Sequence, residues 1–524
     1  MASTYVNDLR LNEMATGDGS GTWGTTTNTN LELIAEAFGS GSEALSDAST
    51  GTITMADGAS DAARAMALTL TGSLSQACTV TLAPNTVNKC WIIKNSAGDT
   101  VTISQGTGSN VVIPNGSVKM IVADGAGSGA AVTDVLDMTS GAGNIGLGSG
   151  ALGVGITTGT DNVAIGDSAA DALTTGSDNT IIGDGAGGAI TTGDDNIAIG
   201  SAALDAVTTA SDNIAIGSNA LGANTSGASN TAVGVGALDA NTTGNYNVAL
   251  GQNALGANTT GTPNVSIGYN STLNNTTGAS NVAVGPYALQ NNTTASHNIA
   301  LGDSALIANT TGQYNVAIGN YTLDANTTAS NNTGIGYQAL SANTTGASNT
   351  AVGYQALDAA TTADNNVGVG YGALGANTTG ASNVAIGKDA LIANTTASNN
   401  VAVGVDALTS NTTADGNTAL GFEALKANTT GHSNVAVGKD ALIANTTANH
   451  NVAVGVDTLT TNTTGATNVA IGGLALTANT TGGNNVAVGY QALDANTTAS
   501  NNTGIGYQAL SANTTGADNT AVGY

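Results

Sequence analysis

Basic residues are nearly missing from this chain: eight Lys and Arg stand against 35 Asp and Glu, a formal charge of −27. Nucleic acids and anionic membranes are held by basic footprints, so neither is expected as a partner. The acidity instead suits the solubility of a long, otherwise neutral rod. Aromatics make up 3% and charged residues 8%. Yet 41% of the residues are hydrophobic and fall in a strict pattern, which excludes a disordered chain. Cysteine is limited to Cys78 and Cys90, flanking "TVTLAPNTVNK", which reads as a hairpin. The two could be neighbours across it; two reduced, buried thiols are the expected state, and no metal-ligand spacing involves them. No run reaches the length of a membrane span. The start, "MASTYVNDLRLNEMATG", has no basic segment followed by an apolar one. Assembly without the general secretion route is therefore expected.

What the chain has in abundance is glycine, 73 residues, placed periodically. An Asn recurs every 17 residues from Asn162 to Asn519, giving 22 anchors and 21 complete repeats. Four residues after each anchor stands a Gly, from Gly166 to Gly523, and three after it Ile, Val or Leu. Whole blocks are copied: "LDANTTASNNTGIGYQALSANTTGA" occupies 323–347 and again 493–517. A fixed period of this length marks a solenoid.

Four segments follow. Residues 1–48 read as an arm with one short helix in "NTNLELIAEAFGSGS". Asn28 or Asn30 would cap it, Leu31, Ile34 and Phe38 would share a face, and Gly39 would stop it; Trp23 would lie in the loop before. Residues 49–137 hold short β-rich runs between Asn-Gly and Gly-Asp turns, which predict a small antiparallel sandwich or barrel. Residues 138–161, opening "MTSGAGNIGLGSGALGVG", form an irregular transition coil. Residues 162–524 are the repeats.

One unit, "NVAVGYQALDANTTASN" from Asn485, predicts a strand with Val486 and Val488 on the inner face, then a bend at Gly489. A second short strand is expected in "YQALDA", and "NTTASN" is turn chemistry. The third position is Ala in most units, Ser266, Gly334, Gly368 and Gly504 in four, and Ile181 in one. No charge stands there, so this face is expected to press on another chain's backbone, with three chains round an axis. The fold class is therefore all-β: a parallel β-roll or β-solenoid of 17-residue coils in a homotrimer.

The unit "NVAVG-x-x-AL" resembles the head repeat of trimeric autotransporter adhesins, read as Ser-Val-Ala-Ile-Gly followed by small residues. That resemblance implies a left-handed parallel β-roll of three interlocked chains over 162–524. The turn is about three residues longer here, and no signal peptide, coiled-coil stalk or membrane barrel accompanies it. "GTWGTTTNTNLELIAEAFG" with "WIIKNSAGDTVTISQGTGSNVVIPNG" resembles the start of tail-fibre proteins of tailed bacteriophages, over about 130 residues. This second resemblance implies that the N-terminal region joins virion tail or baseplate proteins and the repeats form a shaft.

Candidate chemistry is thin. The Asn-Thr-Thr triplets from Asn241 to Asn513 are formal glycosylation acceptors, but turn chemistry explains them. Adjacent Thr point apart, which argues against an ice-binding array. The anchor Asn column predicts an amide ladder from coil to coil. Asp194 and Asp195 lie in a solvated turn, and "GDGAGG" at 183–188 does not recur as a calcium repeat would. "GDGSGTWG" and "GAGSGA" have neither the strand-to-helix setting nor the Lys-Ser/Thr of a phosphate loop. His297, His432 and His450 fall just before anchors, in separate coils, and make neither a triad nor a zinc site. No catalytic, cofactor-binding or metal-binding residues, and no cofactor, are expected; the chain is expected to be no enzyme.

The expected function is a structural virion protein, a trimeric tail-fibre shaft assembled in the host cytoplasm. A bacterial surface adhesin is the alternative, with a polysaccharide-degrading tailspike behind it. Twenty-two coils at roughly 4.8 Å would make a shaft of about 100 Å. The sequence stops mid-unit at Tyr524, so further coils and a tip that binds a host receptor or glycan are expected beyond it.

Overall fold

The computed structural model describes residues 4–6, 9, 11–13, 21–135, 143–153 and 156–524. The chain folds as a parallel β-solenoid of 17-residue coils, preceded by two small mixed sheets and one short helix. Contacts divide it into two compact units, Met1–Asn213 and Ile214–Tyr524.

The first unit begins with an antiparallel pair, β1 (Thr4–Val6) and β2 (Leu11–Glu13). Helix α1 then runs Trp23–Ala37. It starts earlier than the sequence suggested: Thr22 occupies the cap position without a side-chain bond, and Trp23 is the first helical residue, not part of a loop. Asn30, expected as a cap, instead exchanges two hydrogen bonds with the Asn12 backbone, each 3.2 Å. Gly39 ends the helix as expected, its N–H donating to the Glu36 carbonyl at 2.9 Å. The buried face carries Leu33 and Ala37, whereas Leu31 and Phe38 are exposed.

Next come β3 (Ser40–Leu45), β4 (Thr50–Thr54), β5 (Ala67–Gly72), β6 (Cys78–Ala83), β7 (Asn88–Ser96), β8 (Val101–Ser104), β9 (Val111–Ile113), β10 (Val118–Asp124) and β11 (Val132–Asp134). Two sheets enclose one core, ordered β11-β10-β7-β5-β3 and β4-β6-β8-β9. The antiparallel expectation fails for most of it. Successive strands from β3 to β8 alternate between the sheets, so β3, β5 and β7 pair in parallel, as do β4, β6 and β8. Only β9, β10 and β11 add antiparallel pairs. The segment is a short roll in its own right. For the same reason Cys78 and Cys90 do not flank a hairpin: they lie on β6 and β7, in different sheets, and both are free thiols. Between the sheets pack Ile53, Leu70, Val80, Trp91, Ile103 and Ile121, and the Trp91 indole donates to the Ala63 carbonyl at 2.8 Å.

Part of the expected transition coil, 138–142 and 154–155, lies outside the described residues. What is described already has coil form. Ile145–Leu147 pairs in parallel with Val163–Ile165, and the Asn162 N–H donates to Asn144 Oδ1 at 2.9 Å, 18 residues back. The column thus begins one slightly longer coil before the strict period. Thr180–Ile182 and Ile197–Ile199 continue it within this unit.

The second unit stacks nineteen three-residue strands, Ile214–Ile216 to Thr520–Val522, parallel and in register. Its coils turn the expected faces inside out. Ala487 is fully buried, while Val486 and Val488 are part-exposed on the outer face. The cause is the thinness of the coil. A Cβ at Gly504, the same position one coil on, would meet the Ala509 carbonyl at 3.0 Å and Leu493 Cγ at 3.3 Å across the interior. An Ala nearly fills that gap; a Val would not fit. The small third residue therefore reports the wall of its own coil, not another chain's backbone.

The second strand expected in "YQALDA" is also absent. The segment is a run of turns, with Gln491 at φ 55° and Leu493 at φ 52°. Left-handed backbone costs a side-chain-bearing residue roughly 1–2 kcal/mol. Two gains offset it: Ala492 and Leu493 are fully buried, and the Leu493 N–H donates to the Ala509 carbonyl of the next coil at 3.0 Å. Gly489 (φ 138°) marks the end of the strand, and a Cβ there would lie 2.2 Å from the Gly506 carbonyl. Only glycine allows that stacking distance.

Candidate functional surface

Two polar columns run through the interior. The Asn485 amide donates to Asn468 Oδ1 at 3.1 Å and to the Ala499 carbonyl at 2.9 Å, and its own Oδ1 accepts the Asn502 N–H at 3.0 Å. The predicted amide ladder is thus present. The sequence missed a second one. The Asn of each Asn-Thr-Thr triplet is no exposed turn residue: Asn496 is fully buried, and its Nδ2 donates to Asn479 Oδ1 (3.1 Å) and to the Ala499 carbonyl (3.0 Å). The nitrogen a glycan would need is enclosed and already in use. The first Thr links coils through its hydroxyl, as Thr497 does to the Thr514 carbonyl at 3.2 Å, and the second, such as Thr498, is exposed.

The outer face of the strands is apolar. Each fourth residue in the second unit is Ile, Val or Leu, with Ile386 and Ile471 each 41% exposed and Leu420 47%. Each second residue is Val, Ile or Thr. At roughly 40 Å² for each partly exposed aliphatic side chain, the fourth residues of nineteen coils present about 760 Å². Patches on monomers are usually a few hundred Å². Parallel sheets are ordinarily covered on both faces, and here none of the described residues covers the outer face.

Beside this stripe, past the recurrent bend glycine, stands a column of larger side chains. Tyr337, Tyr354 and Tyr371 stack at 5.5 and 5.3 Å, and Tyr490, Tyr507 and Tyr524 at 5.7 and 5.3 Å. The next position carries five consecutive acids, Asp389, Asp406, Glu423, Asp440 and Asp457. Lysines answer them: Lys426 reaches Glu423 (2.7 Å) and Asp406 (3.3 Å), and Lys439 reaches Asp440 (2.6 Å). The hydrogen bond to Asp440 holds the Lys439 ammonium above its ordinary pKa.

The remaining candidates resolve simply. Asp194 and Asp195 are exposed, and Asp194 Oδ1 caps the Ser177 N–H at 2.8 Å. Gly185 and Gly187 of "GDGAGG" occupy ordinary left-handed coil positions. Residues 17–20 of "GDGSGTWG" lie outside the described residues, but Trp23 and Gly24 open α1, and β2 precedes them. The Lys-Ser/Thr of a phosphate loop is not in this segment. "GAGSGA" contains only the turn Gly127–Gly129. His297 stacks on Tyr314, and His432 and His450, in adjacent coils, are in ring contact. Among the described residues no group of three or more His, Cys, Asp or Glu could hold a metal ion, and no helix is long and apolar enough to cross a membrane.

The N-terminal roll is tied together by two cations. Buried Arg64 donates to the carbonyls of Leu9, Ala56 (2.6 Å) and Ala59 (3.0 Å) and pairs with Asp61 at 3.3 Å. Lys89 donates to the carbonyls of Ala63 (3.4 Å), Arg64 and Ala65 (3.3 Å) over the Trp91 ring, and burial pulls its pKa down to about 8. By contrast, Trp23 at the start of α1 and Phe38 at its C-terminal cap are 67% and 75% exposed.

No protein-family model, characterised protein or solved structure matches the chain. What it shows is therefore its fold, a parallel β-solenoid behind an N-terminal mixed β roll.

Proposed function

We propose that this chain is a structural, non-catalytic fibre protein: the shaft of a bacteriophage tail fibre, assembled as a homotrimer, linking a particle to host recognition. The observation that carries this reading is the outward Val/Ile/Leu stripe. It repeats in coil after coil, and its area is comparable to the roughly 800 Å² that each partner gives to a standard interface. A second and third copy of the same chain present the same stripe at the same pitch. The number three rests on the resemblance to trimeric adhesin heads. The Ala face that first suggested it is turned into the coil itself.

The uniformity of the coils supports a spacer role. Recognition and catalysis need a local departure from the repeat; the anchor Asn ladder runs unbroken through the second unit from Asn230 to Asn519, and the second column is interrupted only where Ala360 replaces its Asn. Residues 1–137 differ in build, and the exposed Trp23 and Leu31 of α1 and Phe38 at its C-terminal cap suit an end that docks on tail or baseplate proteins. Protein mass spectrometry of purified tailed particles from a lysate carrying this gene tests the reading. Finding the chain in the particle fraction supports it. Finding it only in the cell envelope, with no particles, replaces it by the surface-adhesin reading.

A further inference from the structure

His432 and His450 stand in consecutive coils with ring centroids 5.1 Å apart and planes at 85°. A metal–imidazole bond of about 2.0–2.1 Å plus the ring's own radius places a centroid roughly 3.2 Å from a bound ion, so two such arms at a tetrahedral angle end about 5.2 Å apart. The observed centroid spacing matches that distance, and rotation about each metal–nitrogen bond leaves the angle between the rings free. We infer that His432 and His450 form a two-imidazole site for a borderline divalent transition ion of the Zn²⁺, Ni²⁺ or Cu²⁺ class, with water in the remaining positions.

The backbone holds the pair in place. The His450 N–H donates to the His432 carbonyl at 3.2 Å, and the His432 N–H to Asn449 Oδ1 at 2.8 Å. His432 Nδ1 lies 3.3 Å from Ser433 Oγ, an outer contact that leaves Nε2 for an ion. Both rings are exposed. A cleft of about 310 Å³, lined by Thr413, Asp415, Thr430 and Ser433, opens beside His432 on the side of the preceding coils. Imidazole pairs select this class of metal over Mg²⁺ and Ca²⁺. The repeat supplies its own control: the nearly identical block at 383–397 is flanked by Ala381 and Asn399 where the later copy, at 434–448, has His432 and His450.

The test is calorimetric titration of the tag-free full chain with Zn²⁺, repeated with Mg²⁺. The variants are His432→Ala and His450→Asn, both residues taken from the earlier copy so that the coil is kept, with His297→Ala as control. The expected result is one saturable Zn²⁺ per chain, lost in either single variant, retained in His297→Ala and not reproduced by Mg²⁺. Absence of saturable uptake, or uptake unchanged in both single variants, would overturn the assignment.

Discussion

Asn485 and Asn496 donate to one carbonyl, that of Ala499, at 2.9 and 3.0 Å. The same convergence recurs at Ala448, which accepts from Asn434 (2.8 Å) and Asn445 (3.1 Å). The two buried columns are therefore a single network, joined once in each of these coils.

The cost of breaking this network should be high. Asn485→Leu leaves the buried Asn502 N–H without its acceptor, while Asn468 Oδ1 keeps the backbone N–H of residue 485 and the Ala499 carbonyl keeps Asn496 Nδ2. An orphaned buried donor costs about 1–3 kcal/mol, and a loss of that size is expected. Hydrogen exchange of the Asn502 and Val486 amides measures it. Protection equal to wild type in both would mean that the column is decorative.

Two glycines at the same coil position should respond oppositely to alanine. At Gly334 a Cβ would lie 2.6 Å from Thr322 Cγ2, a Thr that replaces the usual Ala in the facing wall. At Gly504 the facing wall is ordinary, and the nearest atom would be the Ala509 carbonyl at 3.0 Å. Gly504→Ala should be neutral or stabilising by about 0.4–1 kcal/mol, since Ala restricts the unfolded chain. Gly334→Ala should destabilise by about 1–3 kcal/mol through overpacking. Thermal melts of the two variants, side by side, decide it; equal effects would contradict the packing argument.

These glycines also show what could and could not be read from the sequence. The 17-residue period, the strand, the bend at the fifth position and the Asn ladder were all legible, because each leaves a residue type at a fixed spacing. Which strand face lies inside was not. Alternation separates two faces without naming them, and hydrophobicity favoured Val486 over Ala487 for the interior. Wall-to-wall distance reverses that choice, and it depends on where Leu493 and Ala509 fold. The left-handed Gln491 and Leu493 gave no signal either, since neither is a residue that favours such backbone. In the N-terminal roll, turn chemistry announced the strands, but nothing local announced that consecutive ones would join different sheets.

Lys89 gives the roll a pH dependence of defined sign. Its pKa falls from 10.5 to about 8 on folding, chiefly through burial, with Asp61 opposing. Between pH 8 and 10.5 the folded state then binds fewer protons than the unfolded one, so stability rises with pH across that window. Burial raises the Cys78 thiol above its ordinary pKa, which acts the other way above pH 9. The difference between wild type and Lys89→Met isolates the lysine. Urea midpoints at pH 8 and pH 10 should show a larger gain, or smaller loss, in wild type; identical shifts would remove Lys89 from the account.

Adjacent positions on one strand should separate assembly from folding. Val437 belongs to the outer stripe, whereas Ala436 is fully buried in the coil. Val437→Asp should leave the circular dichroism of the coils intact while dissociating the chains. Ala436→Asp places an unpartnered charge inside the coil, at a cost of several kcal/mol, and should lose structure and assembly together. If Val437→Asp changed neither property, the stripe would not be an interface.

The central claim is that the outer stripe is covered by two further copies of this chain, and the mass of the purified protein in solution tests it most directly. Sedimentation equilibrium of the full chain should return three times the chain mass, independent of loading concentration. A monodisperse species of one chain mass, soluble at high concentration with its Val/Ile/Leu stripe in water, would contradict it.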